Sequence, residues 1–143
     1  MSQASTEARP GDLVERVQQL WQKACDDELR PLGLTLAQYS LLRALADRPG
    51  VSTTELAPLL VLNRQTLRDV LGGLRSSGLV LVGGRGPLGR TRPVQLTVDG
   101  RARLRAGEHA IAGVEARMLT RFTPGDRHRL SAMLATCAVN LAR

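Results

Sequence analysis

From Pro10 onward the apolar residues fall at helical spacing. Leu13, Val17, Leu20 and Ala24 form one stripe, and Trp21, Cys25 and Leu29 form an adjoining one. Residues 1–9, ahead of them, read as a loose tail. Pro31 and Gly33 predict that this first helix ends near Arg30. Thr35 followed three residues later by Gln38 is a capping box, which predicts a second helix carrying Tyr39, Leu41, Leu42 and Leu45 and stopping before Pro49-Gly50. Ser52 and Glu55 form another, opening a short helix with Leu56, Leu59 and Leu60. Pro58 lies past its first turn, where proline removes a hydrogen bond, so a kink or an early end is expected. Asn63 is a good N-cap for a fourth helix over 64–76, with Leu67, Val70, Leu71 and Leu74 on its core face and Gly78 just past its end. The period then changes to two. Leu79 to Val82 reads as a short strand, 83–92 as a long turn, and Val94, Leu96 and Val98 as a return strand. After Thr97 a fifth helix is expected to run to Phe122, burying Leu104, Ile111, Val114 and Met118. Thr123-Pro124 with Asp126 opens a last helix, whose Leu130, Met133, Leu134, Cys137 and Leu141 make a near-heptad seam.

Three helices followed by a hairpin, with the three-residue turn Val61-Leu62-Asn63 between the last two of them, is the plan of a winged helix-turn-helix. The expected fold class is mostly α, with a small two- or three-stranded β wing and with flanking helices at both ends of the chain. In such modules the second helix of the pair enters the major groove of duplex DNA. The face of helix 64–76 opposite its core stripe holds Gln65, Arg68 and Gly72, with Arg64 and Thr66 at its exposed start. Arginine can bond guanine bidentately and glutamine can do the same to adenine, so the chemistry suits base reading. Asn63 and Thr66 can bond phosphates or bases beside the helix N-terminus, which itself favours an anion. Gly72 and Gly73 are costly inside a helix, and close approach of DNA is one explanation for either of them. Asp69 is a poor neighbour for phosphate and is expected to orient a nearby arginine.

Charge strengthens this picture. The net charge is +7, with 20 basic residues against 13 acidic ones, and a basic surface attracts nucleic acid or anionic lipid. The turn 83–92 places Arg85, Arg90 and Arg92 among four glycines, a cationic tip suited to the DNA backbone or a narrow minor groove. Other chemistries find little support. Two cysteines are too few for a disulfide scaffold, and no spacing of Cys or His suggests a metal site. His109 and His128 sit on different predicted helices, and no paired carboxylates, nucleophile–base order or phosphate-cradling loop points to an enzyme. No cofactor is expected. With no apolar run of signal-peptide or membrane-spanning length, the expected setting is cytoplasmic and away from the membrane.

The ordered stretches GLTLAQYSLLRAL, STTELAPLL, NRQTLRDVLGGLRSSGLV and RTRPVQLTVDG resemble the MarR family of transcriptional regulators, over nearly the whole span from Pro10 to Leu141. Carried over by that resemblance, Arg90 falls on the family's wing-tip arginine. The acidic residue that usually braces it two positions earlier is replaced here by Leu88. The first helix and the last two present apolar stripes that the module of 36–98 is too small to cover, which marks an association surface. In the family the N- and C-terminal helices interlock as a twofold homodimer, implying a pseudo-palindromic operator in double-stranded DNA. The implied organisation is a tail (1–9), a dimerisation helix (10–34), a DNA-binding module (35–98) and C-terminal dimerisation helices (99–143). The resemblance further implies a repressor released by a small aromatic or phenolic ligand, with Trp21 and Tyr39 the aromatics nearest the expected crevice. Two alternatives stand beside it: a winged-helix module that binds protein instead of DNA, and a redox sensor acting through Cys25. Asp26, Asp27 and Glu28 follow Cys25 directly, and carboxylates raise a thiol pKa, so both cysteines are expected to be structural, with Cys137 a small core hydrophobe.

Overall fold

The computed structural model describes residues 8–60, 62–84 and 92–143. Among the described residues, six α-helices and one hairpin follow the predicted order: α1 (Pro10–Leu29), a 3-10 turn (Arg30–Leu32), α2 (Leu36–Asp47), α3 (Thr53–Leu60), α4 (Arg64–Ser76), β1 (Val80–Val82), β2 (Val94–Leu96), α5 (Val98–Met118) and α6 (Pro124–Leu141). The caps explain the boundaries. The Thr35 hydroxyl accepts from the Gln38 amide at 3.1 Å while the Gln38 side chain accepts from the Thr35 amide at 3.0 Å, closing the expected box. Asn63 caps α4 by accepting from the Thr66 amide at 2.8 Å. Thr123 and Asp126 form a reciprocal box on α6. At α3 the box is half made: Glu55 accepts from the Ser52 amide, and the Ser52 hydroxyl also turns to the Glu55 carboxylate. α3 runs through Pro58 and stops at Leu60, where the Leu62 amide closes on the Ala57 carbonyl.

β1 and β2 pair antiparallel with Leu81 opposite Gln95, and a single bridge ties Ser52 to Pro93 at the foot of α3. The hairpin base is therefore fixed to α3 by backbone bonds, including Thr53 N–H to the Arg92 carbonyl at 3.2 Å. Val98, expected at the end of the return strand, instead opens α5 and lies exposed, because Thr97 caps that helix by accepting from the Gly100 amide.

One core joins α1, α2, α4, α5 and the hairpin around Cys25, Leu29, Leu41, Leu42, Leu74 and Val94. Tyr39 is buried against α5, where a Cβ on Gly107 would lie 2.8 Å from its ring; the missing side chain lets the two helices close. No buried residue among those described is polar or charged.

Two expectations about the C-terminal helices need correction. α5 ends at Met118, four residues before Phe122: Arg121 takes a left-handed φ of 74°, and the Thr120 hydroxyl donates to the Arg117 carbonyl at 2.8 Å. Met118 is exposed and Ile111 only half-buried, although Leu104 and Val114 are buried as expected. α6 has no buried residue at all, so Cys137 is an exposed thiol in the subunit and not a core residue. Leu13, Val17 and Leu20 of α1 are likewise about half exposed, as are Met133 and Leu134 of α6.

Candidate nucleic-acid interface

α4 is amphipathic by construction. Leu67 and Leu74 are buried, Val70 and Leu71 are half-buried, and Arg64, Gln65, Arg68 and Arg75 are exposed. At 3.6 residues per turn Arg64, Arg68 and Arg75 fall within about 40° of one another, making a single basic edge along the helix. That edge faces the base of the hairpin. Between them lies a cleft of about 490 Å³ lined by Arg64, Arg68 and Arg75 of α4, Arg92 at the entry to β2, and Thr53 and Thr54 at the start of α3. Its floor is apolar, with Leu67, Leu71 and Val82. Among the described residues the ion pairs are Lys23–Asp27, Arg30–Asp27 and Arg129–Asp126, and none of them involves a cleft arginine. Four arginines thus line one cleft with no carboxylate among its described lining residues, an arrangement that stays favourable when a polyanion supplies the counter-charge.

The described sequence-predicted residues each have a definite place. Arg64, Arg68 and Arg92 line the cleft. Asn63 and Thr66 lie at the N-terminus of α4 and do not line the cleft; the Asn63 side-chain oxygen is committed to the cap. Gln65 lies one position round the helix, and its amide donates to Asp69 at 3.0 Å. Asp69 therefore orients a glutamine, not the arginine expected of it; residues i and i+4 share a helix face, and Gln65 is the partner in reach. The remaining amide proton and the carbonyl oxygen of Gln65 stay available in a fixed pose. Arg85 and Arg90 lie outside the described residues.

The two glycines separate. A Cβ at Gly73 would meet the Gln38 side chain at 3.0 Å, so that glycine serves the packing of α4 on α2 and not an approach to DNA. Gly72 faces open space on the cleft wall. Arg75, Thr53 and Thr54 are cleft residues that the sequence reading missed. The signal for Arg75 was present in the spacing of Arg64, Arg68 and Arg75.

Trp21 and Tyr39 are set apart in the described residues. Trp21 lines a hollow of about 260 Å³ between α1 and α5, together with Val17, Leu20, Val114, Arg117 and Met118. Tyr39 belongs to the core, where burial holds its phenol above the usual value while Arg43 pulls it the other way. Cys25 is fully buried. Desolvation, and then Asp26, push its thiol up to about 11, against a smaller opposing pull from Arg117. Such a thiol is protonated at neutral pH and a poor nucleophile. The described residues contain no cluster of candidate metal ligands, and no described helix is long and apolar enough to cross a membrane.

Comparison with known proteins gives the same fold and a family. Residues 32–85 match the MarR family model. Over 124 residues the chain is 34% identical to the HTH-type transcriptional repressor Rv2887 of Mycobacterium tuberculosis, covering 87% of this chain and 89% of that protein. A shorter stretch of 67 residues is 36% identical to the transcriptional regulator HosA of Escherichia coli, covering 47% of this chain and 50% of that one. Among solved structures, Rv2887 in complex with DNA superposes with a TM-score of 0.76 at 33% identity, over 91% of this chain and 98% of that one. The repressor CouR bound to a 23-mer DNA duplex superposes with a TM-score of 0.85 at 29% identity, over 96% and 98%. Rv2887 has also been solved with salicylic acid, with a TM-score of 0.74 at 33% identity, over 91% and 96%. With a relative this similar along nearly its whole length and the winged helix-turn-helix in place, the chain belongs to the MarR family of transcriptional regulators.

Proposed function

We propose that this chain is the subunit of a homodimeric, ligand-responsive transcriptional repressor that binds a pseudo-palindromic site in double-stranded DNA. The observation that carries the reading is the cleft of four arginines between α4 and the hairpin base, none of them in an ion pair among the described residues. Inserted in a major groove, α4 presents Gln65 and Arg68 to base edges, while Arg64, Arg75 and Arg92 meet the phosphates that pass between helix and wing. Arg85 and Arg90, outside the described residues, are proposed to add further contacts to the DNA. Two copies associate through the exposed apolar rows of α1 and α6, so 10–34 and 99–143 form the dimer frame and 35–98 the reading head. Relatives solved with DNA support the partner, and one solved with salicylic acid supports the class of effector. The hollow beside Trp21 has the chemistry for a small aromatic acid, since it combines an indole and apolar walls with the Arg117 guanidinium. The burial of Cys25 argues for a ligand over an oxidant as the signal. Nothing in the family or the cleft calls for catalysis, and the reading is of a cytoplasmic regulator with no cofactor.

The test is a gel shift with the region upstream of the protein's own gene, run with and without salicylate. The reading expects a salt-sensitive complex of two chains per site that salicylate weakens. Binding that shows no preference over random duplex would reject it.

A further inference from the structure

Besides the backbone bond from the Leu34 amide to the Leu29 carbonyl at 3.2 Å, the joint between α1 and α2 is tied by two side-chain hydrogen bonds, each from a different long helix. Asp26, in the last full turn of α1, accepts from the Leu36 amide at 2.7 Å, taking the first free N–H of α2. A carboxylate is well suited there, because the start of a helix carries partial positive charge. Its neighbour Asp27 does something different: it pairs at the surface with Lys23 and Arg30. From the other side Arg103 of α5 reaches across the joint and donates to the Leu32 carbonyl, a contact between residues 71 positions apart. Its path runs over Gly33, where a Cβ would lie 3.3 Å from the guanidinium nitrogen and where φ is +71°. Glycine is favoured twice at this position, by the left-handed turn and by the close passage of Arg103. The apolar contact of Tyr39 on α5 also joins these parts, but it lacks direction, whereas a hydrogen bond fixes an angle.

We propose that Asp26 and Arg103 are positioning residues for DNA recognition: they lock the angle at which α2, and with it the α3–α4 reading head, leaves the α1–α5 frame. This rests on the proposed dimeric DNA-binding function. In a dimer that angle sets the separation of the two α4 helices, which must match successive major grooves about 10 base pairs apart. Neither residue lines the arginine cleft. Their removal leaves each head able to bind a half-site and loosens the spacing between heads.

Two measurements test this on the full-length dimer. The first compares binding of Asp26→Ala, Asp26→Asn, Arg103→Ala and Arg103→Lys to the selected operator and to versions with one or two base pairs inserted between half-sites. The alanine variants are expected to bind the native spacing about tenfold more weakly while losing most of the penalty for insertion. Asn and Lys keep an acceptor and a donor, and should restore much of the discrimination. The second needs no DNA. Spin labels on Gln19→Cys of α1 and Ser76→Cys of α4, in a Cys137→Ser chain diluted with unlabelled chain, report the frame-to-head distance. Its distribution should widen in both alanine variants and narrow again with Asn and Lys. Unchanged widths in the alanine variants would overturn the proposal, as would an insertion penalty equal to that of the unmodified protein. If the unmodified protein binds no DNA, the functional reading fails, and the distance widths alone decide the clamp.

Discussion

α4, of 13 residues, and α6, of 18, both turn much of their surface to water in the subunit, yet their exposed faces differ in kind. α4 buries Leu67 and Leu74 and turns arginines outward, so it is satisfied as it stands and its outer face is stable in water. α6 buries nothing, and it leaves Met133, Leu134, Val139 and Leu141 between 48% and 86% exposed. Arginine at a surface is ordinary, and its meaning comes from geometry: here, convergence on one cleft without counter-charge. A row of exposed leucine and methionine costs free energy directly, at roughly 25 cal/mol for each Å² of apolar surface, and asks for a cover before any geometry is considered. On the proposed function the first surface meets a polyanion and the second another copy of the chain.

The sharpest way to break that contrast is Leu134→Arg, which makes α6 resemble α4. Burying an unpaired charge in a packed seam should weaken the dimer by about 3–5 kcal/mol. Sedimentation at micromolar concentration should show monomers for the variant and dimers for the unmodified protein. A stable folded monomer in the latter case would remove the seam from the account.

Within α4, Arg68 and Arg75 should behave differently. Arg68→Ala is expected to cost roughly 1–3 kcal/mol of specific binding and to relax base preference at one position in each half-site. Arg75→Ala should weaken all duplexes alike, as loss of a phosphate contact does. Affinities over a panel of single-base operator variants separate the two, and identical profiles would merge their roles. Arg90→Ala, at the wing, should flatten the dependence of log K on log salt by about 0.9 per subunit. A change in preference for A·T-rich flanks instead would move Arg90 from the phosphates to the minor groove.

The smallest expected effect is none. With its thiol pushed up to about 11, Cys25 should not respond to a modest excess of cumene hydroperoxide at neutral pH. Operator release that disappears in Cys25→Ser would make the protein a redox sensor.

Much of this was legible in the order of residues because it is written locally. The caps at Thr35, Asn63 and Thr123 and the core stripe of α4 each depend on residues within one or two turns, and the structure keeps them. What was not legible depends on distant partners. Arg75 becomes a cleft residue because the hairpin folds back and Thr53 bonds the Arg92 carbonyl, a contact nearly forty positions apart. Gly73 is explained by Gln38 of another helix, and Asp69 by the competition between glutamine and arginine for one carboxylate. The early end of α5 has no glycine or proline to announce it, since Arg121 itself adopts the left-handed turn. The apolar pattern of Cys137 indicated burial but not by what: it is exposed in the subunit.

The central claim is that two reading heads on a twofold frame address one DNA site, and selection of bound duplexes from a genomic fragment library tests it most directly. The account predicts enrichment of a pseudo-palindrome with half-sites about 10 base pairs apart, bound by two chains and lost in Arg68→Ala. Enriched fragments without twofold symmetry, or no enrichment over the starting library, would contradict it.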